Sequence, residues 1–308
     1  NKMVVIGKNG ATVWPLPEDV TTSQPAELLS SKDARSVAWS PDGALVAVGD
    51  SNGTVSLVGD GRSPVVTLTG PKGIVKAVAF SPDSTLVAAA IETSNKDLGE
   101  STVLVWPIGE DQPSEHFVND RGTVTSLAFV QDGTALATGG KDNHIDVWNL
   151  QSGLPQDQPL RGSRQSVSDM AYDAGSQTLV SGDGDGRVFL WRFDTPNRLA
   201  RPLLGHTDQV YAVAFSPDDA LLASGGNDGT VRLWNLASGD SQVLGTHTPL
   251  VRSVAFSPDG DLLASAGLDD IKLWQLQPKP TLLHTLSGPG AQALGDLVFS
   301  SDGKTMAT

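Results

Sequence analysis

Apolar and polar positions along the chain follow one pattern that returns every 41 to 49 residues. In one copy, an apolar run from Val210 to Phe215 ends in a Ser-Pro-Asp turn. A second short run (221–224), a Gly/Asn/Asp turn (225–229) and a third run ending at Trp234 follow. Short apolar runs separated by Pro, Gly, Asn and Asp are typical of β-strands joined by tight turns. The pattern predicts a unit of four antiparallel strands, the last and least regular near 241–244.

Seven copies of this unit align through the aromatic residue that ends each first strand. These residues are Trp39, Phe80, Phe129, Tyr172, Phe215, Phe256 and Phe299. One four-stranded sheet cannot bury both of its faces, whereas copies stacked in a ring can. The repeat therefore predicts an all-β fold, a seven-bladed β-propeller with four antiparallel strands per blade, as a single domain over residues 1–308. Six blades are expected to start near residues 34, 74, 123, 166, 209 and 250.

The last blade is expected to be composite, closed by both termini from residues 294–308 and 1–29. The C-terminal segment supplies a first strand and the start of a second. The N-terminal segment supplies a third strand ending at Trp14 and a fourth near 26–29. Residues 2–6 also have the pattern of a second strand, so two copies compete for one position. This duplication, in a chain that begins without Met, fits a piece of a multidomain protein.

These repeats resemble the WD-repeat family, and the resemblance covers nearly the whole chain. Third strands end at Trp14, Trp106, Trp148, Trp191, Trp234 and Trp274. The Trp-Asp dipeptide of the family is absent from every copy. The resemblance implies a non-catalytic scaffold that binds other proteins or peptides on the face carrying the loops that lead into the first strands. Repeats this regular resemble prokaryotic members, which implies a sensor or regulatory module of a larger signalling protein.

The resemblance also implies a buried polar network of His, Ser or Thr, Asp and Trp within each blade. Two blades have all four residue types, as His206, Ser224, Asp228 and Trp234, and as His247, Ser265, Asp269 and Trp274. Two earlier blades lack the His and keep Thr138, Asp142 and Trp148, and Ser181, Asp185 and Trp191. A satisfied polar network makes a blade rigid, so the blades from Phe129 to Phe256 are expected to be the stiffest.

Three motifs suggest chemistry, but each has a structural explanation. His206, Ser224 and Asp228 have the composition of a catalytic triad, yet the set recurs in the next blade, as a structural network would. The segment 49–53 fits G-x-S-x-G, but the nucleophile elbow needs a strand-to-helix turn, and this turn joins two strands. The segment 183–186 resembles part of a calcium loop without its later Glu ligand. We expect no catalytic residue, no metal site and no cofactor.

Composition narrows the choice of partners. The chain has no Cys and a net charge of −14, with 35 Asp and Glu against 21 Lys and Arg. The absence of Cys excludes disulfides and thiolate chemistry and favours a reducing, cytoplasmic location. A strongly acidic chain is a poor general binder of nucleic acid or of anionic membranes. No apolar run approaches the roughly 20 residues that a membrane span needs, and no signal peptide is expected.

Candidate partner contacts come from the position four residues before each aromatic anchor, which is expected at the rim of the central channel. Cations or Tyr occupy this position as Arg35, Lys76, Tyr211 and Arg252, and Lys141 lies in a neighbouring turn. Arg and Tyr are enriched in protein interfaces. A group of cations on an acidic, monomeric propeller predicts an acidic peptide or loop as the partner.

Several alternatives stay open at the level of sequence. A ligand-binding or hydrolytic propeller enzyme is the alternative function, and a purely structural assembly role is a third. The enlarged turn 91–101 is either part of a binding face or a tolerated insertion, because added loop length costs little entropy. The sequence does not identify the partner or its pathway.

Overall fold

The computed structural model describes residues 3–7, 10–14, 27–28, 34–59, 62–93, 101–119, 122–156, 158–195, 200–268, 270–287, 296–299 and 306–307. Every regular element within these residues is a β-strand, and none is a helix. The all-β class that the repeat predicts is therefore confirmed. The chain divides into two compact units, residues 1–127 with 295–308, and residues 128–294. The single domain expected from the repeat stays a prediction.

The first unit contains two sheets of four antiparallel strands in sequence order. One consists of β4 (Ala34–Trp39), β5 (Leu45–Asp50), β6 (Thr54–Gly59) and β7 (Arg62–Thr69). The other consists of β8 (Gly73–Phe80), β9 (Leu86–Thr93), β10 (Ser101–Pro107) and β11 (Glu115–Asn119). Each first strand ends at its aromatic anchor, as the pattern predicts.

Both ends of the sequence contribute strands to the first unit. The three-stranded sheet contains β1 (Met3–Gly7), β2 (Gly10–Trp14) and β3 (Glu27–Leu28), and a separate pair contains β29 (Val298–Phe299) and β30 (Met306–Ala307). The two copies of the expected second strand, β1 and β30, are thus both strands and pair with different partners, β2 and β29. The seventh blade and the closure of the ring stay predictions.

The second unit contains four sheets with the same strand order, and its boundary falls within β12. The first has β12 (Val124–Val130), β13 (Ala135–Gly140) and β14 (His144–Asn149), with β15 (Leu154–Pro155) and β16 (Leu160–Arg161) both paired to β14. The second has β17 (Val167–Asp173), β18 (Thr178–Asp183), β19 (Arg187–Arg192) and β20 (Ala200–Leu204). The third has β21 (Val210–Phe215), β22 (Leu221–Gly226), β23 (Thr230–Asn235) and β24 (Ser241–Thr246). The fourth has β25 (Ser253–Phe256), β26 (Leu262–Ala266), β27 (Asp270–Gln275) and β28 (Thr281–Ser287).

The Ser-Pro-Asp turn between first and second strands is held by its own side chains. After Phe215, the Ser216 hydroxyl donates to Asp218 Oδ1 at 2.6 Å and accepts the Leu221 N–H at 2.8 Å. The same pair of contacts recurs at Ser40, Ser81 and Ser257. The hydroxyl stabilises the carboxylate and lowers the pKa of Asp218 below its ordinary value. The chain reverses direction here because the Ser hydroxyl and the Asp carboxylate accept N–H groups of the turn that have no backbone acceptor.

Neighbouring sheets pack through a contact between a second-strand glycine and a first-strand valine. The pairs are Gly49 with Val75, Gly139 with Val167, Gly182 with Val210, and Gly225 with Val251. A Cβ built on Gly182 would lie 2.6 Å from Val210 Cγ1, closer than side chains pack. All four valines are fully buried. The glycines therefore set how closely one sheet approaches the next.

Candidate functional site

His206 lies at the centre of a buried hydrogen-bond relay within the sheet of β21 to β24. Its Nδ1 lies 3.0 Å from Asp228 Oδ2, and its Nε2 lies 2.7 Å from Ser224 Oγ. Ser224 Oγ also accepts the Trp234 Nε1–H at 2.8 Å. The structure brings together the four residues that the sequence grouped in this blade.

A neutral imidazole satisfies every group of this relay. Burial lowers the pKa of His206, and the nearby Asp228 opposes that shift only in part. With the proton on Nδ1, the ring donates to Asp228, and its Nε2 accepts the Ser224 hydroxyl proton. Burial also raises the pKa of Asp228, but the N–H groups of Thr207 and Thr230 donate to its carboxylate and lower the pKa overall. Ser224 is fully buried, whereas a nucleophile has to reach its substrate.

The next sheet contains the same relay with a different acid. His247 Nε2 lies 2.7 Å from Ser265 Oγ, which accepts the Trp274 Nε1–H at 2.9 Å. The carboxyl oxygen 2.6 Å from His247 Nδ1 belongs to Asp270, although counting from Ser265 predicts Asp269. Asp269 itself lies outside the described residues.

The shorter turn explains this shift. Ser265 pairs with Lys272 in the same way that Ser224 pairs with Arg232. Asp270, two residues before Lys272, therefore takes the place of Thr230. The Thr230 hydroxyl lies 3.1 Å from His206 Nδ1, so this position reaches the ring in both sheets.

In the sheet of β17 to β20, Asp183 is the acid that closes the turn. Its Oδ1 accepts the N–H groups of Asp185 and Arg187, both at 3.0 Å. The alignment of the repeats assigned this role to Asp185, whereas the structure assigns it to Asp183. Trp191 Nε1–H still donates to Ser181 Oγ, at 2.9 Å, so the hydrogen bond between Trp and Ser is the same as in the other relays.

A side chain at the position of Asp183 would crowd a histidine ring at the position of His206. Asp183 stands where the neighbouring sheet has Gly226, and a Cβ on Gly226 would lie 3.0 Å from His206 Nδ1. The position of His206 is taken by Ser163, eighteen residues before Ser181, as His206 is before Ser224. Within the described residues, Ser163 Oγ and Asp183 Oδ2 are buried without a hydrogen-bond partner. Burial raises the pKa of Asp183.

One end of the sheets in the second unit carries most of the predicted contact residues. In a sheet of four antiparallel strands, the start of the first strand and the turn between the second and third lie at the same end. Gly184 N–H donates to Ser166 O at 3.0 Å, and Asn227 N–H donates to Gln209 O at 2.7 Å, which joins loop to turn. We name this end the leading face. Its loops are 162–166, 205–209 and 247–252, and its turns are 140–143, 183–186 and 226–229. It also includes Tyr211, at the start of β21.

Arg252 stacks on Tyr211 at the leading face. The Arg252 Cζ atom lies 5.2 Å from the centroid of the Tyr211 ring, and the Tyr211 hydroxyl lies 3.5 Å from Asn227 Oδ1. Arg252 is exposed, and within the described part of the chain it forms no ion pair. Stacking restrains the guanidinium while its N–H groups stay available to an acceptor. The pair can hold a carboxylate through two parallel hydrogen bonds.

The other predicted contact residues differ in availability. Lys141 is exposed in the turn 140–143 of the leading face. Arg35 is exposed too, but it belongs to the first unit. Lys76, also in the first unit, forms an ion pair with Glu92 at 3.5 Å, and Glu92 Oε1 accepts the Thr123 hydroxyl at 2.8 Å. Lys76 is thus already partnered. Most of the enlarged turn, residues 94–100, lies outside the described residues.

Asn143, Arg164 and Gln209 of the leading face were not identified from the sequence. Asn143 Nδ2–H donates to Arg164 O at 3.3 Å, and Gln209 Nε2–H donates to Ser168 Oγ at 2.8 Å. Counting one position per blade selects a first-strand residue and skips the loop before it, where Arg164 and Gln209 lie. For Gln209 the sequence offers one signal, a polar residue directly before Val210, which begins β21.

The motifs weighed for catalysis and metal binding have ordinary places in the fold. The segment 49–53 spans the turn between β5 and β6, as expected from the pattern. Among the residues described, no three His, Asp or Glu side chains are grouped closely enough to hold a metal ion. No helix capable of crossing a membrane occurs in the described part of the chain.

Comparison with protein families identifies the repeat. The family model described as "WD domain, G-beta repeat" matches residues 26–58, 62–106, 112–149, 156–192, 197–235 and 240–275. These six segments cover well over half of the chain. Each segment contains the first three strands of one sheet, preceded by the last strand of the sheet before it.

Curated relatives match parts of the chain. It is 33% identical over 118 residues to the 66 kDa stress protein of Physarum polycephalum, which covers 37% of this chain and 18% of that protein. It is 33% identical over 117 residues to small ribosomal subunit protein RACK1 of Trypanosoma brucei brucei, which covers 37% of this chain and 36% of that protein. The matched segments span between 14% and 36% of the relatives' own lengths.

Solved structures show the same fold. One described as the structure of U3-55K has a TM-score of 0.75 at 22% identity, covering 88% of this chain and 86% of that chain. The crystal structure of RRP9 WD40 repeats has a TM-score of 0.75 at 20% identity, covering 88% of this chain and 85% of that chain. At this identity the likeness concerns the fold alone. Six matched repeats on a WD-repeat propeller fold establish that the chain belongs to the WD-repeat family.

Proposed function

We propose that the chain is a protein-interaction scaffold that holds an acidic segment of a partner on the leading face. WD-repeat propellers generally act by binding other proteins. The observation that carries the proposal is the exposed guanidinium of Arg252 stacked on Tyr211. A restrained Arg loses less side-chain entropy when it binds a carboxylate than a freely rotating one does.

The distribution of charge in the second unit supports an acidic partner. Lys141, Arg164 and Arg252 are exposed on the leading face, and none of them forms an ion pair within the described residues. The leading face also carries acids: Asp228 contacts His206, Asp183 accepts backbone N–H groups, and Asp208 accepts the Asn227 Nδ2–H. Asp142 and Asp185 lie in its turns. The opposite end of the same sheets carries Asp132, Asp173, Asp218, Asp219, Asp259 and Asp261. Attraction of an acidic segment to the leading face therefore rests on its three unpaired cations and not on the net charge of that face.

A finer part of the proposal is that the scaffold works as a sensor or regulatory module of a larger signalling protein. The support is that the curated relatives are much longer than the segments they share with this chain. A seventh blade built from both ends of the sequence is a further part, supported by the position of β30 beside β1 in the first unit. A crystal structure that shows β1 away from β30 would contradict the composite blade.

Quantitative affinity capture from an extract of the source organism tests the scaffold. The baits are the wild-type chain, Arg252→Ala, Tyr211→Phe and the matched control Lys279→Ala, which removes an exposed cation from the opposite end. We expect at least one protein to be retained by wild type, Tyr211→Phe and Lys279→Ala but lost with Arg252→Ala. Tyr211→Phe keeps the stacking ring. Equal capture by Arg252→Ala and wild type for every protein would overturn the proposal.

A further inference from the structure

Contacts connect Arg252 to the middle of the leading face. The Tyr211 ring under Arg252 reaches Asn227 through its hydroxyl, and Asn227 N–H donates to Gln209 O. Gln209 then crosses to the neighbouring sheet, where its Nε2–H donates to Ser168 Oγ at 2.8 Å. Each step is a direct contact, so this part of the surface is continuous.

The same surface continues to a second cationic end. A Cβ on Gly184 would lie 2.9 Å from Gln165 Cβ, so Gln165 packs directly over the turn 183–186. The carbonyl of the preceding Arg164 accepts the Asn143 Nδ2–H, which joins it to the turn that carries Lys141. Arg164 and Lys141 are both exposed. The leading face therefore has cations at both ends, Lys141 with Arg164 at one and Arg252 at the other.

Side-chain amides lie between these ends, with the Asp208 carboxylate beside them accepting the Asn227 Nδ2–H. They belong to Asn143, Gln165 and Gln209, which we name the amide track. Gln165 is exposed, and the other two are partly exposed. Within the described residues, the side-chain NH2 groups of Asn143 and Gln209 each donate one internal hydrogen bond, and their side-chain carbonyl oxygens accept none. An amide oxygen in this state accepts a hydrogen bond from an N–H group of a ligand.

We propose that the leading face binds one extended peptide, with acidic side chains at both ends and its backbone N–H groups donating to the amide track. This inference rests on the proposed function. An extended segment offers unpaired backbone N–H groups, whereas a helix uses its own internally. Carboxylates at the two peptide ends match Arg252 and the pair of Lys141 and Arg164. The partner is therefore recognised by the spacing of its acidic residues and by its extended backbone.

Titration of the full chain with synthetic peptides tests this spacing. Each peptide carries Glu-Glu at both ends, separated by a Gly/Ser spacer of about two to eight residues, and fluorescence anisotropy measures its affinity at low salt. We expect one spacer length to bind best, and a peptide with a single Glu-Glu end to bind roughly three- to fivefold more weakly. Equal affinity at every spacer length, or for one and two ends, would overturn the inference.

Charge variants assign the two ends. One variant is Arg252→Ala, and the other combines Lys141→Ala with Arg164→Ala. Each should lower the affinity of the best-binding peptide to that of a peptide with a single Glu-Glu end. The control Arg192→Ala with Lys279→Ala removes two exposed cations outside the leading face and should leave binding unchanged. An equal loss in the control would show a general effect of charge and contradict the assignment.

Methylation of the peptide backbone separates amide recognition from charge. Spacer N-methylation removes the donors and keeps both acidic ends, so the best peptide should lose affinity roughly threefold or more. Unchanged affinity would overturn the role of the amide track. If no peptide binds but Arg252→Ala still loses its captured protein, the extended-peptide inference fails while the scaffold stands. If Arg252→Ala captures the same proteins as wild type, the scaffold proposal itself is contradicted.

Discussion

The carboxyl group of Asp219 contacts that of Asp173 between two neighbouring sheets of the second unit. Burial and then the shared hydrogen bond raise the pKa of Asp219 to about 6, with added repulsion from Asp173 and Asp218. Asp219 also has a left-handed backbone, with φ of 58°, where Gly43 and Gly260 occupy the same turn position in other sheets. A charged residue is therefore held in a place that suits neither its charge nor its backbone.

Replacing Asp219 by Asn should stabilise the protein at neutral pH. The pKa of Asp219 lies near 6 in the folded state against an ordinary value of 3.8. The folded state thus holds the extra proton, and this group's contribution to stability falls as pH rises from about 4 to about 6. We expect Asp219→Asn to raise the free energy of unfolding by about 1 kcal/mol at pH 7, with no gain below about pH 4. Asn tolerates the left-handed backbone, so an equal gain at both pH values in urea denaturation would contradict the electrostatic explanation.

The buried indole N–H of Trp106 offers a second test. Trp106 Nε1 has no hydrogen-bond partner among the described residues. Ala89 pairs with Leu104, as Ser224 pairs with Arg232, two residues before the corresponding Trp. Ala89→Ser should therefore give Trp106 an acceptor and raise the free energy of unfolding by about 1 kcal/mol.

The control for this substitution is Ala88→Ser, one position along the same strand. Ala88 and Ala89 are both fully buried, and alternate residues of a strand point to opposite faces. The hydroxyl at position 88 faces away from Trp106, so chemical denaturation should show a loss of stability. A gain at both positions would mean that Trp106 is not the cause.

The polar network has two arrangements, Ser163 with Asp183 in one sheet and His206 with Gly226 in the next. Replacing both members of the first pair by those of the second should be tolerated better than replacing either alone. Ser163→His alone brings a ring against the Asp183 carboxylate, and Asp183→Gly alone leaves the N–H groups of Asp185 and Arg187 without their acceptor. The double variant restores the arrangement of the neighbouring sheet, with Asp185 at the place of Asp228. We expect each single change to destabilise and the pair to show a favourable coupling of about 1 kcal/mol or more. Additive free energies of unfolding in a double-mutant cycle would contradict mutual exclusion.

The contact between Gly225 and Val251 predicts a steric penalty. A Cβ on Gly225 overlaps the Val251 side chain, which has no room to move in a packed interface. Gly225→Ala should lower the free energy of unfolding by about 2 kcal/mol. Val251→Ala should cost less in the Gly225→Ala background than alone, because it removes the overlapping Cγ1 methyl group. Thermal unfolding that shows the same cost in both backgrounds would place the strain elsewhere.

Local chemistry explains which features the sequence could predict. The Ser216–Asp218 turn and the relay of His206 depend on residues whose spacing repeats, so the pattern identifies them. Asp270 was missed because a shortened turn changes which residue reaches the histidine, and counting cannot show this. Asp183 was missed because its conflict with a histidine ring arises from the distance between a second strand and the loop before a first strand. The stack of Arg252 on Tyr211 joins side chains of different sheets, which only the fold brings together.

The glycine–valine contact has a consequence for how such chains lengthen. Within the described repeats, a sheet typically carries both the valine that faces its predecessor and the glycine that receives its successor. A duplicated gene segment encoding one such sheet therefore brings complementary surfaces for both of its new neighbours. Repeats joined in this way can be added by duplication without the evolution of a new core, while the loops of each copy diverge toward separate partners.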